Sequence, residues 1–380
     1  MLLSAPAISV LFFISSLIIS FKERQKSFFE DKLNICLIMS SIFMIISCIY
    51  NSYPTNFPYN SWSPSLSWYG LANWIPLFIC YFGFQSFLNT SKERRQVSLF
   101  FIFGTIPLLV SGILQYFFKI YGPFETLNGL IIWFSRSLEP EQGLTGLFNN
   151  PNYAGLWLNL VWPFCLACLI ISKKNNLGKI SSLLFAFGIA ITTVLTTSRA
   201  AWFGLCIGIL LTFGKNLINI IPKLFLGIIC IFITSFLPLM NKFYEVFFRI
   251  IVPNQSWIDS EQNELTRIDI WLSALMNIFS NPLFGTGSGS FPEIFISETG
   301  IFKGHPHNLT LELIVSYGIP GAILIIIPIA IISFLSFKKI FIDSNNAISN
   351  SIFEKSWIIS LILFLLSQMV DVQYFDGRIS

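Results

Sequence analysis

Long apolar runs separated by short polar segments dominate the pattern along this chain. A helix needs about 20 residues to cross roughly 30 Å of hydrocarbon, and runs of that length recur throughout. They do not alternate with a period of two, as the strands of a membrane barrel would. The pattern therefore predicts an all-α polytopic membrane protein. About ten transmembrane helices are predicted, near residues 3–21, 32–50, 70–88, 97–118, 152–172, 178–197, 199–214, 217–239, 308–337 and 356–374.

Basic residues divide the connecting segments between the two sides of the membrane. Lysine and arginine concentrate in every second segment, for example at Lys92, Arg94 and Arg95. By the positive-inside rule these segments face the cytoplasm. The other segments are then predicted to be periplasmic, including a loop over 119–151 and a large loop over 240–307 that contains short helices. We expect residues 1–380 to form a single transmembrane domain.

The composition agrees with this picture. Hydrophobic residues make up 54% of the chain and charged residues 11%, whereas about a quarter of the residues in soluble domains are charged. The net charge of +4 is modest, so it gives no reason to expect a nucleic-acid partner. All seven cysteines lie within apolar runs, where cysteine behaves as a small hydrophobic residue. Disulfides are therefore not expected.

Two arginines on the predicted outer side are candidates for binding an anion. Arg199 lies between two apolar runs with almost no loop, where a charge is costly. It either extends to the lipid headgroups or binds an anion in a cavity. Arg267 lies on a predicted amphipathic helix of the large loop. It either pairs with Glu264 or Asp269 at a solvated surface or also binds an anion.

Both histidines lie in one short stretch before the predicted helix 308–337. Because Pro306 restricts the preceding backbone to an extended form, we expect His305 and His307 to point in different directions, with at most one acting chemically. His307 is at the helix N-terminus, where the partial positive charge disfavours imidazolium. A neutral imidazole there is suited to be a general base, and a purely structural role is the alternative.

Three further residues of this helix bear on the site. Glu312 is about one turn in, where a buried carboxylate would orient a neighbour or pair with an arginine. Gly318 and Gly321 are predicted to share one helix face, where small residues let another helix approach closely. Zinc is disfavoured because the chain has neither a His-Glu-x-x-His motif nor a cysteine-rich set, and two histidines leave zinc short of ligands. No metal or cofactor is expected.

Five short motifs occur in order on the predicted outer side. They are Gly146-Leu-Phe-Asn149-Asn-Pro-Asn152, Thr197-Ser-Arg199-Ala, Arg267 followed by Trp271, Asn281-Pro-Leu-Phe-Gly-Thr-Gly287, and His307-Asn308 with Gly318 and Gly321. Together they resemble the O-antigen ligase and polymerase superfamily of bacterial inner-membrane glycan transferases. The resemblance spans roughly residues 140–380. It implies up to twelve transmembrane helices, against the ten predicted here.

The resemblance implies a metal-independent, inverting transfer of a glycan. The donor would be a polyprenyl-diphosphate carrier, and the acceptor would be a hydroxyl of a lipid or glycan at the periplasmic face. His307 would be the general base, and Arg199 and Arg267 would hold the diphosphate. Supporting roles are expected for the other motif residues and their neighbours, His305, Asn308, Glu312, Asn149, Asn152, Gly318 and Gly321. Membrane lipids would be the remaining partners.

Other functions are compatible with the same motifs. Polymerases and protein-glycosylating members share them with ligases. Some relatives carry a transporter label linked to inorganic carbon, so a solute transporter using Arg199 as an anion site is the alternative from another class. An inactive scaffold with this fold is the third. A transporter typically has discontinuous helices meeting at mid-membrane, whereas polar residues here gather at the outer face. The enzyme hypothesis requires Arg199, Arg267 and His307 to converge on one outward-facing cavity.

Overall fold

A computed structural model describes residues 31–53, 65–85, 87–126, 131–133, 137–138, 143–172, 176–214, 267–342 and 348–372, with a few helical residues between 10 and 19. The helices are α1 (Lys32–Asn51), α2 (Ser65–Gln85), α3 (Ser91–Gly104), α4 (Ile106–Phe117), α5 (Pro151–Ile171), α6 (Asn176–Leu195), α7 (Arg199–Phe213), α8 (Arg267–Ser280), α9 (Phe291–Thr299), α10 (Leu309–Phe337) and α11 (Ile348–Gln368). A π-helical turn, Lys338–Ile342, continues α10. Two short strands, β1 (Phe124–Thr126) and β2 (Ile131–Trp133), pair antiparallel.

The described helices confirm a multi-pass membrane protein. Five helical stretches are long and apolar enough to cross a bilayer, namely Lys32–Asn51, Ser91–Phe117, Pro151–Ile171, Asn176–Leu195 and Leu309–Phe341. The second combines α3 with α4, and the last runs from α10 into the π-helical turn. α7 is apolar but has only 15 residues. The ten predicted spans are therefore confirmed in part. The span at 217–239 and most of 3–21 lie outside the described residues, as does the 240–266 part of the large predicted loop.

Two predicted elements differ from those observed. The loop over 119–151 contains the hairpin of β1 and β2, in which Phe124 is opposite Trp133. The span predicted at 356–374 is instead α11, which ends at Gln368. The residues that follow α11 therefore leave the helix and are available to a polar site.

The described chain divides into two compact units. The first unit comprises Met1–Gln96, Leu265–Asn346 and Leu365–Ser380, and the second comprises Val97–Glu264 and Ala347–Phe364. The first unit holds both histidines and Arg267, and the second holds Arg199. The prediction of a single transmembrane domain over 1–380 stays a prediction.

In the first unit, α1 packs against α10 with its small polar residues turned inward. Ser40 Oγ donates to the carbonyl of Gly321 at 3.4 Å, and Ser47 Oγ donates to the carbonyl of Phe284 at 2.5 Å. The exposed positions of α1 are mostly large apolar residues, such as Ile42 and Ile46. This arrangement reverses that of a soluble helix and is typical of a helix whose outer side faces lipid.

α10 is interrupted at Gly318, where φ is 78° and ψ is 171°. The interruption removes the helical partners of the preceding carbonyls. Backbone N–H groups of the 281–287 segment replace them, because Thr286 donates to Val315 at 2.8 Å and Gly287 donates to Ser316 at 3.2 Å. The broken helix therefore keeps these carbonyls hydrogen-bonded, as a helix within a membrane requires.

The two glycines of α10 thus have different roles. A Cβ on Gly318 would lie 2.1 Å from the carbonyl oxygen of Leu283, and one on Gly321 would lie 3.2 Å from the ring of Phe43. The prediction that both share one face of a continuous helix is wrong, because the backbone turns between them. Gly321 does allow α1 to approach closely, as expected of a small residue.

Candidate active site

Asn308 fixes the start of α10 and links it to the segment after α11. Its side-chain Oδ1 accepts from the backbone N–H groups of Thr310 at 2.9 Å and Leu311 at 3.2 Å, which makes it the helix N-cap. Its Nδ2 donates to the carbonyl of Met369 at 3.1 Å. One side chain therefore brings the histidine stretch next to residues that are about sixty positions away in the sequence.

His305 and His307 lie against each other before this cap. Their ring centroids are 4.4 Å apart, with an interplanar angle of 68°. The prediction that the two side chains point in different directions is wrong, because His307 is not extended but has a φ of 52°. A left-handed backbone is uncommon outside glycine, with histidine among the more tolerant residues. The backbone N–H of His307 donates to Nδ1 of His305 at 3.2 Å.

Asp371 completes the site, and sequence reasoning missed it. Its Oδ1 lies 3.1 Å from Nδ1 of His307 and 3.9 Å from Nε2 of His305. The side chain is buried, and Oδ1 also accepts from the backbone N–H of Val372 at 2.9 Å. The prediction placed Asp371 inside an apolar span. A carboxylate at such a position is itself a signal of function that could have been followed.

The hydrogen bonds assign the tautomers of both rings. Ionised Asp371 can only accept, so Nδ1 of His307 carries a proton, and in the neutral ring Nε2 is the nitrogen with the lone pair. The backbone N–H can only donate, so Nδ1 of His305 is the acceptor and its Nε2 carries the proton. The pair therefore presents one basic nitrogen, Nε2 of His307.

Burial and charge keep the neighbours of His307 in fixed protonation states. Burial lowers the pKa of His305 to about 4, helped by His307 and opposed by Asp371. Burial alone would raise the pKa of Asp371, but the hydrogen bond from His307 and the nearby imidazoles hold it below its usual range. At neutral pH, His305 is thus neutral and Asp371 is an anion.

Among the described residues, the same three side chains lie close enough together to hold a metal ion. Their ligand atoms lie within 4.8 Å of one another, and two imidazoles with a carboxylate can hold zinc. Ligation through Nε2 of His305 would require its proton on Nδ1, which accepts from the N–H of His307. Metal binding would break that hydrogen bond, so the arrangement favours a hydrogen-bonded site.

Glu312 lies one turn into α10 and is only 3% exposed. Its Oε1 accepts from Ser316 Oγ at 3.1 Å, and its Oε2 has no hydrogen-bond partner. In the described residues it forms no ion pair with an arginine. It therefore lies in the interior of the first unit and does not face an incoming substrate.

Arg267 is the first described residue of α8 and is exposed. α8 packs against α9 and α10 through a core that includes Ile270, Ala274 and Val315. Arg267 thus belongs to the same unit as His307. Glu261 and Glu264, the predicted acidic neighbours, lie outside the described residues.

Arg199 opens α7 directly after a tight turn in the second unit, and it is exposed. Thr197 within this turn has a φ of 56°. The backbone of the 143–150 segment lies against the turn, because Leu144 N–H donates to the carbonyl of Leu195 at 2.8 Å. A Cβ on Gly143 would lie 1.8 Å from the carbonyl oxygen of Thr196. The residues just before the first sequence motif are therefore packed against the residues just before the second.

Gln115 of α4 holds the 143–150 segment through hydrogen bonds. Its Oε1 accepts from the backbone N–H groups of Thr145 at 3.1 Å and Gly146 at 2.9 Å. Asn150 then caps α5 by accepting from the N–H of Asn152 at 2.8 Å. Asn149, predicted as a supporting residue, is exposed beside this cap.

Sequence reasoning missed both Asn150 and Gln115. An asparagine directly before a proline at the first helical position is a strong cap signal, so Asn150 could have been found. Gln115 is more than 25 residues from the segment that it holds, and the residues around it carry no comparable signal.

Comparison with known families gives one match in this region. A family model described as O-antigen ligase matches residues 183–326, a range that includes Arg199, Arg267, His307 and Gly321. The match confirms the resemblance seen in the motifs. No curated protein matches the chain.

Proposed function

We propose that this chain, a multi-pass membrane protein whose residues 183–326 form an O-antigen ligase domain, transfers a glycan from a polyprenyl-diphosphate carrier to an acceptor hydroxyl. His307 is the general base. The observation that carries the proposal is the hydrogen bond from Nδ1 of His307 to buried Asp371. In the neutral ring this bond places the lone pair on Nε2 of His307, and it fixes the plane of the ring.

The reaction uses that nitrogen directly. The acceptor oxygen attacks the anomeric carbon while the bond from that carbon to the diphosphate breaks. Nε2 of His307 takes the acceptor proton, and the electron pair leaves with the diphosphate. Asp371 stabilises the imidazolium that forms, as a carboxylate does in a catalytic triad. Direct attack inverts the anomeric configuration.

Arg199 and Arg267 compensate the charge of the leaving diphosphate in this proposal. A guanidinium can form two parallel charge-assisted hydrogen bonds to phosphate oxygens. α7, which begins at Arg199, has no acidic residue in its first turn, so its N-terminus stays positive. Arg267 is exposed. Arg267 is in the same compact unit as His307.

The membrane and face follow from the same proposal. Charge sorting of the loops supports an inner-membrane protein with its active side in the periplasm. His305, Asn308 and Asp371 then belong to that side. The acceptor distinguishes a ligase from a polymerase, because a ligase would use a lipid-linked core and a polymerase would use a second carrier-linked glycan.

His307→Ala tests the base. In proteoliposomes supplied with a polyprenyl-diphosphate-linked glycan and either acceptor, we expect transfer to fall by about 10²–10⁴. Ser297→Ala, at an exposed serine of α9, is the matched control and should retain transfer. The melting temperature should not change. Normal transfer by a folded His307→Ala protein would contradict the assignment.

Arg199→Lys tests the diphosphate site. Lysine keeps the charge but loses the forked geometry, so transfer should fall by about 10²-fold. Full activity of the lysine variant would instead show that Arg199 only extends to the lipid headgroups.

A solute transporter is the second candidate because α10 is discontinuous, a feature common in transporters. The interruption at Gly318 does not provide ion ligands, since the freed carbonyls of Val315 and Ser316 accept from the 281–287 segment. Uptake of bicarbonate into proteoliposomes would support the transporter, and we expect none.

A further inference from the structure

The outward side of α8 is apolar along its length. We call this the outer face of α8, and it consists of Ile268, Leu272, Leu275, Met276 and Phe279. These side chains are between 39% and 81% exposed. At 3.6 residues per turn they fall within about 100° of the helix circumference. Large contiguous apolar patches are rare on surfaces that face water.

Two polar residues of α8, Ser273 and Asn277, lie on the opposite side of the helix. Ser273 Oγ donates to the carboxylate of Glu298 at 2.5 Å, and Asn277 Oδ1 accepts from Thr286 Oγ1 at 3.4 Å. Thr286 is buried, and Glu298 is on the exposed side of α9. α8 thus exposes large apolar side chains, whereas a solvated surface helix turns its apolar side towards the core.

The outer face of α8 continues towards the exposed side of α10. Leu283, just beyond α8, is 61% exposed, and its carbonyl lies against Gly318. The next residue of α10, Ile319, donates its backbone N–H to Pro282 at 2.8 Å. Ile319, Ile323 and Ile327 then form an exposed row on a helix long enough to cross a bilayer. The apolar surface of α8 is therefore continuous with the surface that α10 presents to lipid.

We propose that α8 lies in the membrane interface, with its outer face against phospholipid acyl chains. Helices with one apolar side and a basic end bind membranes in this way. Arg267, at the start of the helix, then lies at the level of the lipid phosphates, since an arginine side chain extends its charge out of an apolar layer. This places a cation where a lipid-linked diphosphate would also lie. The inference concerns the membrane itself and does not depend on glycan transfer.

Site-specific photocrosslinking tests the inference in the full-length protein. A benzophenone amino acid replaces Leu272, Phe279 or, as the control, Ser297 of α9, which is exposed but polar. The variants are irradiated in phosphatidylethanolamine–phosphatidylglycerol liposomes and analysed by intact mass. We expect phospholipid adducts at positions 272 and 279 at several times the level found at 297.

Other outcomes overturn the proposal. Crosslinks to protein in place of lipid would show that a second copy or another segment of the chain covers the outer face. Equal lipid labelling at all three positions would show that the face does not select lipid. Repeating the experiment in the His307→Ala background separates the two proposals, because lipid adducts require no active site.

Discussion

The histidine site and the Arg199 turn present their charged or basic groups by different means. At the histidine site, side chains from distant segments hold one another through the contacts of His307 with Asp371 and of Asn308 with Met369. At the Arg199 turn, backbone packs on backbone, with Leu144 bonded to Leu195 and Gly143 against Thr196. The position of the turn therefore determines where the side chain of Arg199 lies.

This difference predicts how each region responds to substitution. The histidine site should lose chemistry before it loses structure, because its side chains can change while the helices persist. The Arg199 turn should lose structure first, because it has no room for added atoms. Three measurements test the contrast.

The largest effect is expected for Gly143→Ala. The added Cβ would lie 1.8 Å from the carbonyl oxygen of Thr196, which is backbone and cannot move cheaply. We expect a destabilisation of about 3 kcal/mol or more, seen as a lower melting temperature or a loss of folded protein. Gly104→Ala is the matched control, because a Cβ there meets nothing within 4 Å. If Gly143→Ala and Gly104→Ala were equally stable, the expected difference between the Arg199 turn and the histidine site would be contradicted.

Asp371→Asn should affect chemistry and leave the fold intact. An asparagine amide can donate to Nδ1 of His307, which would move the imidazole proton to Nε2 and remove the base. We expect kcat to fall by about 10²-fold with little change in KM or melting temperature. The measurement is the rate of transfer over a range of acceptor concentrations and pH.

An unchanged pH–rate profile in the Asp371→Asn protein would assign Asp371 a structural role only. Asp371→Glu provides the comparison, since a carboxylate restored at nearly the same place should recover part of the rate. If Asp371→Asn lowered the melting temperature as much as Gly143→Ala does, the two regions would respond to substitution in the same way.

The smallest effect concerns pH and His305. Its pKa is lowered to about 4 in the folded protein, against about 6.5 in an unfolded chain. Between these values the unfolded state binds more protons, so stability is complete above pH 6.5 and falls as the pH drops towards 4. The slope is at most about 1.4 kcal/mol per pH unit. Thermal melts of the wild type and His305→Gln check this, and parallel curves would contradict it.

The sequence predicted the residues that carry a local signal. It singled out His307 and Asn308 as candidates because a helix start follows them, and Arg199 because a charge between two apolar runs is costly. Asp371 was not found, since its partner is 64 residues away and hydropathy merged it with α11. Gly318 was assigned to helix packing. The interruption there is filled by the 281–287 segment, so the apolar pattern of the sequence does not reveal it.

The interruption at Gly318 also has a consequence for length. Uninterrupted, the 29 residues of α10 would extend about 44 Å, well beyond the roughly 30 Å of hydrocarbon in a bilayer. Residues 319–337 alone extend about 28 Å, which matches that thickness. The nine residues before the break are therefore free to stand above the hydrocarbon. Such an arrangement is what the proposed function requires, because one helix would then both span the membrane and hold His307 at the depth where sugars and phosphates meet water.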